Sequence, residues 1–426
     1  MASYTSGDQY LAALKRRAAL PAGFCAATAS LSFTPAEKPG RFPMNLSLIL
    51  LDQATPSFAA RFTRNRFAGA PVLIGRERLG EPRLRGVLIN NKVANVGAAG
   101  GVQDARAVLA ELGGLLATPE TELLAASTGI VGWKLPVADM RAALPGLAAG
   151  LQRSTLLPVA RAIMTTDSWP KLRRARAGQG AIVGTAKGAG MIEPNLATML
   201  VFLLTDLDIS RAALREELAR AAETSFNRIS VDGDQSTSDM VVALSSRRRP
   251  AAPRAEFRRA LLEVCRGLAE DIVRNGEGVA HVLEVSVRAA PEALALGLGK
   301  AVVNSPLVKT AVFGNDPNVG RILSAMGDYL SAAPEGRGLD FGRLRVSLGG
   351  VVVFERGGFR LDTRKEKLLA RYLASCAFDP ARKGFPAHDR RVQIEVDCGG
   401  GKGAPVQVLG ADLSYDYVKE NADYRS

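Results

Sequence analysis

Short runs of consecutive apolar residues alternate along the chain with segments in which apolar residues recur every three or four positions. The runs are typical of buried strands, and the spaced segments are typical of amphipathic helices. The pattern predicts strands at residues 46–51, 71–74, 85–89, 181–185, 199–204, 241–244, 282–287, 308–313, 351–355 and 392–396. It predicts helices at residues 103–116, 211–226, 254–274, 319–331 and 363–374.

The predicted helix at 254–274 has the clearest amphipathic pattern, since one face carries Phe257, Leu261, Cys265, Leu268 and Ile272. Ser210 precedes the predicted helix at 211–226 and can cap its first turn. Strands that alternate with helices, and in places follow one another, predict an α/β (α+β) protein of layered sheets flanked by helices. We expect a main α/β domain at 1–281 and a smaller C-terminal α/β domain at 282–426.

Composition favours a globular cytoplasmic protein. The chain has 426 residues, of which 47% are hydrophobic, so it can bury a large core. No apolar run approaches the roughly 18 residues that cross a bilayer, so we expect no membrane partner. Lys15, Arg16 and Arg17 are not followed by the apolar segment of a secretory signal. Four scattered cysteines without a CxxC pair indicate reduced thiols and neither a metal site nor a disulfide framework.

The net charge of +13 raises the question of a nucleic-acid partner. Basic clusters occur at 171–176, 247–249 and 254–259, but no aromatic residues interleave with them in a stacking pattern. No zinc-finger or helix-turn-helix spacing accompanies them either. We therefore expect no nucleic-acid partner; a basic field could instead attract small anionic substrates.

Thr198 is the strongest candidate nucleophile, because it follows a turn rich in Gly and Pro and begins a buried apolar run. The chain has only two histidines, His281 and His388, which leaves little for a Ser/His relay. Cleavage of the Ala197–Thr198 bond would free an α-amine with a pKa of about 8. Thr198 would then carry its own base beside its hydroxyl. An ordinary threonine of a buried strand is the competing interpretation.

Two polar turns before Thr198 could complete such a site. Thr128 and Gly129 could form an oxyanion hole from a hydroxyl and an unobstructed backbone N–H, or they could be a plain strand-to-helix turn. Thr165, Thr166 and Asp167 could bind a polar ligand, but Ser/Thr and Asx turns have the same composition, and we favour a turn.

Two further loops lie after Thr198. The polar run 232–239 lacks the glutamate that a calcium loop needs at its twelfth position, so we expect a tight polar loop near the site and no metal. Glu277 lies between Gly276 and Gly278 after a predicted helix. A helix C-cap explains the two glycines, whereas the carboxylate suits an amine-binding position.

The turn at 313–321 could bring backbone N–H groups and Arg321 to an anion, or it could only begin a helix. Neither a GxGxxG nor a GxxxxGK[ST] loop is present, so no nucleotide cofactor is predicted.

Six motifs follow one another over nearly the whole chain. They are Ala-Ser-Thr-Gly-Ile-Val-Gly at 126–132, Ala-Ile-Met-Thr-Thr-Asp at 162–167, Ala-Lys-Gly-Ala-Gly-Met-Ile-Glu-Pro-Asn-Leu-Ala-Thr-Met-Leu at 186–200, Ser-Phe-Asn-Arg-Ile-Ser-Val-Asp-Gly-Asp at 225–234, Val-Lys-Thr-Ala-Val-Phe-Gly at 308–314 with Asp-Pro-Asn at 316–318, and Tyr-Val-Lys-Glu-Asn-Ala-Asp-Tyr at 417–424. In these motifs the chain resembles the ornithine acetyltransferase family, which is bifunctional as glutamate N-acetyltransferase and amino-acid acetyltransferase.

The resemblance implies an N-terminal-nucleophile-like fold and self-cleavage between Ala197 and Thr198. The products would be an α chain of residues 1–197 and a β chain from residue 198, which stay associated as a dimer of αβ units. Thr198 would be the acetyl-accepting nucleophile. Thr128 and Gly129 would be the oxyanion pair. Substrate contacts are implied at Thr165, Lys187, Thr198, Glu277, Asn421 and Ser426.

The implied reaction is a ping-pong transfer of an acetyl group from N2-acetylornithine to glutamate in the cyclic pathway of arginine biosynthesis. Lys187 would pair with a substrate carboxylate, and Glu277 would pair with an amine. No metal or cofactor is implied, and acetyl-CoA is left open as a co-substrate.

Three segments depart from the usual pattern of the family. At 89–95 the family has Val-Asn-Ser-Gly-Asn-Ala-Asn, and this chain has Ile-Asn-Asn-Lys-Val-Ala-Asn, which introduces Lys92. After Glu277 the family continues Gly-Ala-Thr-Lys, and this chain continues Gly-Val-Ala-His, which ends at His281. At 315–321 Glu-Asp-Pro-Asn-Trp-Gly-Arg is replaced by Asn-Asp-Pro-Asn-Val-Gly-Arg. A related Thr-nucleophile acyltransferase or aminopeptidase of changed specificity is therefore the alternative function.

Overall fold

The structure is a computed structural model that describes residues 3–193, 199–399 and 403–423. Its strands are β1 Phe24–Phe33, β2 Phe42–Thr55, β3 Phe58–Phe62, β4 Leu84–Asn90, β5 Leu123–Ser127, β6 Lys171–Ala177, β7 Gly180–Lys187, β8 Leu200–Leu207, β9 Ile229–Ser230, β10 Met240–Arg249, β11 Val282–Arg288, β12 Arg345–Leu348, β13 Val351–Glu355, β14 Gly358–Phe359, β15 Val392–Asp397 and β16 Val406–Ala411. Its α-helices are α1 Gly7–Arg17, α2 Ala70–Arg78, α3 Gly101–Leu115, α4 Val137–Ala149, α5 Leu157–Ala162, α6 Arg211–Glu223, α7 Arg254–Arg274, α8 Glu292–Asn304, α9 Pro306–Phe313, α10 Val319–Ala332, α11 Thr363–Cys376 and α12 Tyr415–Ala422.

These elements belong to two units. The larger unit consists of Asp8–Asn227 and Asp234–Ile272. The smaller unit has its main part in the C-terminal region from Val273, together with Arg228–Gly233 and the N-terminal residues up to Gly7. The sequence-based boundary between residues 281 and 282 stays a prediction.

The larger unit contains two sheets. The first has four strands in the order β1-β2-β4-β5, and the second has five in the order β3-β10-β8-β7-β6. Strands β4 and β5 are parallel neighbours, and so are β8 and β10. One core joins the four-stranded sheet to α3 and α4, through residues such as Leu48, Leu88, Leu109 and Leu144. The apolar runs of the sequence therefore supply the strands of this core, and the spaced apolar positions supply its helices.

The smaller unit has a single seven-stranded sheet in the order β14-β13-β12-β15-β11-β16-β9. Its core includes Val285 and Ile394 from the sheet, Leu298 from α8, Met326 from α10 and Leu369 from α11. Strand β9 comes from the short segment Arg228–Gly233 and pairs with β16 in parallel. The mixed α/β class of layered sheets flanked by helices, predicted from the sequence, is thereby confirmed.

Long periodic elements were predicted best. Helix α7 has the predicted bounds, and the five apolar residues of its predicted face are all buried. Ser210 caps α6 as expected, since its hydroxyl accepts a hydrogen bond from the backbone N–H of Ala213 at 3.3 Å. Helix α6 ends at Glu223, three residues before its predicted end at Phe226.

Two predicted strands are helices, and both errors have the same cause. Residues 71–74 lie in α2, and residues 308–313 lie in α9. A short apolar run fits a strand or a buried turn of helix equally well. In both places a proline, Pro71 or Pro306, stands in the first turn, where its fixed φ and missing N–H suit a helix start. Ser305 also caps α9 by accepting a hydrogen bond from Val308 N.

Candidate active site

The predicted oxyanion turn lies at the end of β5, beside the end of β4. The hydroxyl of Ser127 donates to Asn90 Oδ1 at 2.6 Å, and Thr128 N donates to Asn90 O at 3.1 Å. Gly129 has φ +127°, and a Cβ there would lie 2.2 Å from the backbone of Lys92, so only glycine fits. Because the N–H of Thr128 is already used, Thr128 can offer its hydroxyl to an oxyanion and Gly129 its backbone N–H.

Asn91 connects this turn to the segment that carries Thr165. Its side-chain nitrogen donates to Ala162 O at 3.1 Å and to Met164 O at 3.0 Å. Its side-chain oxygen accepts from Asn45 N at 2.8 Å. One amide thus holds strand β2 and the 162–164 backbone against the end of β4.

Asp167 continues the connection as far as Lys187. Its carboxylate accepts from Thr165 N and from Gly188 N, each at 3.0 Å, and forms a fully buried ion pair with Lys171. Burial acts to raise the pKa of Asp167, but Lys171, Lys187 and the Gly188 N–H outweigh it and hold the pKa at about 2. Asp167 is therefore an ionised carboxylate that fixes the backbone on both sides of the predicted substrate-binding residues.

Lys187 lies at an edge of the five-stranded sheet where four strands begin or end. It is the last residue of β7, opposite Leu200 at the start of β8. Met240, at the start of β10, lies between Leu200 and Phe62, the last residue of β3. Ala197 and Thr198 lie outside the described residues, which resume at Met199. The chain that carries the predicted nucleophile therefore enters β8 at the edge where Lys187 ends β7.

Asp239 lies at this same edge and was not singled out from the sequence. It directly precedes β10, and only 2% of it is exposed. The sequence signal that could have marked it is a carboxylate directly before a buried apolar strand, at the end of the polar run 232–239.

In the smaller unit, two of the predicted substrate-contacting residues pair with each other. Asn421 Nδ2 donates to Glu277 Oε2 at 2.9 Å. The Glu277 turn is held to the start of α12, because a Cβ on Gly278 would lie 2.2 Å from Tyr417 N and the Ser414 hydroxyl donates to Gly278 O. Ser426 lies outside the described residues.

His281, one of the departures from the family pattern, forms a buried pair with Asp412. Its Nδ1 is 2.7 Å from Asp412 Oδ2, and the other Asp412 oxygen accepts from Ala280 N at 2.9 Å. Within the described part of the chain, His281 Nε2 has no hydrogen-bond partner. His281 therefore stands where the family has a lysine, four residues after Glu277. Its carboxylate partner, Asp412, directly follows β16.

The described residues contain neither a cluster of metal-ligand side chains nor a helix able to cross a membrane. In them, no three His, Cys, Asp or Glu side chains lie together as metal ligands would. Every helix in the same residues is too short or too polar to cross a membrane.

Buried charges that are balanced by specific partners, beside hydroxyls and a glycine turn at the ends of strands, are typical of active sites. Fold and site together define an enzyme of the mixed α/β class. The model of the ArgJ family matches residues 37–426. The chain is 40% identical over 406 residues to the arginine biosynthesis bifunctional protein ArgJ of Geobacter sulfurreducens, which covers 92% of this chain and 96% of the relative.

The protein of the same name from Nitratidesulfovibrio vulgaris is 38% identical over 420 residues, which covers 96% of this chain and 100% of the relative. Among solved structures, the arginine biosynthesis bifunctional protein ArgJ of Bacillus halodurans matches with a TM-score of 0.45 and 34% identity, over 53% of this chain and 100% of that chain. The protein belongs to the ArgJ family. The family inferred from the six motifs is confirmed, and so is the assignment to an acetyltransferase of arginine biosynthesis.

Proposed function

We propose that the protein cleaves itself between Ala197 and Thr198 and then moves the acetyl group of N2-acetylornithine to glutamate through an acetyl-Thr198 enzyme. One observation carries the proposal in a chain of this family. Hydrogen bonds, linked by adjacent residues of the main chain, lead from Thr128 through 90–91 and 164–165 to Asp167 and Gly188, beside Lys187 at the edge where β8 begins.

The proposed reaction has two half-reactions. The Thr198 α-amine takes the hydroxyl proton as the oxygen attacks the acetyl carbonyl, and it returns that proton to the leaving amine of ornithine. Glutamate then attacks the ester through its own amine and takes the acetyl group. The hydroxyl of Thr128 and the N–H of Gly129 stabilise the oxyanion in both half-reactions, and one such donor contributes about 3 kcal/mol in acyl transfer.

Charged and polar side chains have distinct proposed roles in substrate binding. Lys187 is buried, and its ammonium group suits a substrate carboxylate. Glu277, supported by Asn421, suits a substrate amine. Thr165, whose backbone is held by Asp167, offers a further polar contact. Ser426 is proposed as a contact from the family resemblance alone.

The proposal extends to the assembly and location of the protein. We infer an α chain of 1–197 and a β chain from 198 that remain associated as a dimer of αβ units, and domains at 1–281 and 282–426. We also place the protein in the cytoplasm, in keeping with four buried, unpaired cysteines. The name of these relatives, bifunctional protein, is consistent with a second activity as an amino-acid acetyltransferase, with acetyl-CoA left open as a co-substrate.

The test is intact mass and N-terminal sequencing, followed by incubation with N2-acetylornithine and glutamate. We expect the wild type to give a fragment that begins at Thr198 and to form a mass adduct of one acetyl group. Thr198→Ala removes the nucleophile, so it is expected to stay uncut and to form no adduct. Cleavage of this variant at the same bond would contradict the mechanism.

A related Thr-nucleophile acyltransferase or aminopeptidase is the second candidate, favoured by the altered segments 90–95 and 279–281. If this second function is correct, the wild-type protein cleaves itself but does not react with N2-acetylornithine. Assaying the cleaved protein against other acylated amino acids and against small peptides distinguishes the two functions.

A further inference from the structure

Asp239 is a buried carboxyl group fixed beside the residue that follows Thr198. Its backbone oxygen accepts from Thr63 N at 3.1 Å, and the next residue, Met240, donates its N–H to Met199 O at 3.0 Å. The main chain on both sides of Asp239 is therefore attached to its neighbours in the sheet. The side chain is held at the edge where Met199 enters β8.

The Asp239 carboxyl group has donors at only one of its oxygens. Oδ2 is buried and has no hydrogen-bond partner within the described residues. Burial raises the pKa of Asp239 well above its usual value, and the Met199 N–H, the hydroxyls of Ser236 and Thr63 and the charge of Lys187 offset only part of that rise. These surroundings therefore favour the neutral, protonated form of Asp239, which can donate a proton.

The pKa values of Asp167 and Asp239 are shifted in opposite directions, although Lys187 favours the charged form of both. Asp167 has two backbone donors and the direct ion pair with Lys171, so it is ionised. Asp239 lacks such an ion-pair partner in the described residues, so its burial favours the neutral form. Two carboxyls whose environments push their pKa values apart are a frequent sign that one of them acts as an acid.

We propose that Asp239 donates the proton that the Thr198 nitrogen takes up when the Ala197–Thr198 bond breaks, an inference that rests on the proposed self-cleavage. The Thr198 oxygen forms a bond to the Ala197 carbonyl carbon, and the C–N bond to Thr198 breaks. The nitrogen takes the proton of Asp239, and the hydroxyl proton of Thr198 passes to the Asp239 carboxylate. Water then hydrolyses the ester, so that Ala197 gains a carboxyl group and Thr198 regains its hydroxyl.

A neutral Asp239 also suits the later acetyl transfer. A carboxylate next to the new α-amine would favour its ammonium form, which cannot act as a base. A protonated carboxyl leaves the amine free to take the hydroxyl proton of Thr198. The transfer step therefore does not need the acidic proton of Asp239, whereas the cleavage step does.

The test of the cleavage step is Asp239→Asn, which keeps the size of the side chain and an oxygen for Met199 N–H but has no acidic proton. Protein is made by pulsed cell-free synthesis, and cleavage is followed by intact mass between pH 5 and 9. We expect cleavage to slow at least 100-fold, the lower end of what general acid catalysis contributes. The melting temperature of Asp239→Asn should match that of uncut Thr198→Ala, which would show that slow cleavage does not result from misfolding.

The matched control is Asp234→Asn, which changes an exposed carboxylate of the same loop and should cleave as the wild type does. Asp239→Glu should restore part of the cleavage rate. In the wild type, cleavage should slow as pH rises through the raised pKa of Asp239, because the protonated form is the donor, and this limb should be absent from Asp239→Asn.

Wild-type cleavage rates in Asp239→Asn would overturn the proposal. It would also fail if Asp239→Asn and Asp239→Glu both lost cleavage, acetyl transfer and thermal stability together, since that is the pattern of a structural role. A wild type that never cleaves would instead disprove the proposed function, and no variant is needed to see it.

Discussion

At the scale of single residues, the decisive feature is how each buried charge is neutralised. The carboxylate of Asp167 is surrounded by Lys171, Lys187 and two backbone N–H groups, so it stays ionised although it is fully buried. Lys171 is fully buried as well, and burial lowers its pKa. Neither charge could be buried alone without a large cost, so each depends on the other.

This dependence gives a prediction for Asp167→Asn and for the double variant Asp167→Asn with Lys171→Met. The single change leaves a buried ammonium without its carboxylate and should lower the free energy of unfolding by about 3–5 kcal/mol. The double change removes both charges and should recover a large part of that loss. Urea unfolding of the two variants and of Lys171→Met measures the coupling, and strictly additive effects would contradict it.

At the scale of elements, the end of β4 positions the two turns of the candidate site. Asn90 holds the turn after β5, and Asn91 holds the segment before Thr165. Lys92, the residue after Asn91, has φ +69°. This left-handed conformation costs a residue with a side chain about 1 kcal/mol. In this segment the chain has Lys92 where the family pattern has glycine, which would adopt the conformation without strain. The side-chain amides of Asn90 and Asn91 hold the backbone next to it.

Asn91→Ala should therefore weaken catalysis through position. It leaves Met164 O and Asn45 N without their side-chain partner and Ala162 O with only the Asn45 Nδ2 donor at 3.4 Å, which costs about 1–3 kcal/mol of stability. We expect kcat to fall about tenfold or more, with a smaller change in KM, because the oxyanion turn and the Thr165 segment lose their common support.

The control is Gln152→Ala, which removes a comparable amide that bonds Thr155 O at 2.7 Å and accepts from Ser154 N at 2.7 Å. It should lose similar stability and keep its kcat. An equal fall of kcat in both variants would show that Asn91 acts only through general stability.

The sequence predicted elements well where apolar periodicity extended over many residues, as in α7. The prediction of strands was wrong at α2 and α9, where four to six residues fit a strand and a helix equally well. In both segments a proline in the first turn favours the helix. For the site, the motifs marked Thr128, Lys187 and Glu277, but Asp239 gave no such signal. Its pKa depends on its burial and on Met199, Lys187 and Thr63, which are distant from it in sequence.

At the scale of the whole molecule, the five-stranded sheet combines strands from both sides of the predicted cleavage point. Strands β3, β6 and β7 precede Ala197, and strands β8 and β10 follow Thr198. In the order β3-β10-β8-β7-β6, β10 pairs with β3 and β8 pairs with β7. Cutting one peptide bond would leave these two ladders intact.

We therefore expect the two fragments of the wild type to stay together after cleavage. They should elute as one species in native size-exclusion chromatography, at the volume of uncut Thr198→Ala, and should separate only in denaturant. Dilution to nanomolar concentration should not release either fragment, because separation would expose ten buried strand positions or more to water in an unpaired sheet. Free fragments in native buffer would contradict this prediction.

By itself, the sequence determined the mixed α/β class, the long periodic helices, the family and the candidate nucleophile. These follow from local information: apolar spacing along one segment, and short motifs whose order along the chain is itself the evidence. Only the tertiary structure decided that the end of β4 supports two separate turns, that Asn421 pairs with Glu277, and that the pKa of Asp167 is lowered while that of Asp239 is raised. The physical reason is that protonation and hydrogen-bond partnership are set by neighbours in space, and here those neighbours come from strands up to about 180 residues apart, such as Thr63 and Asp239.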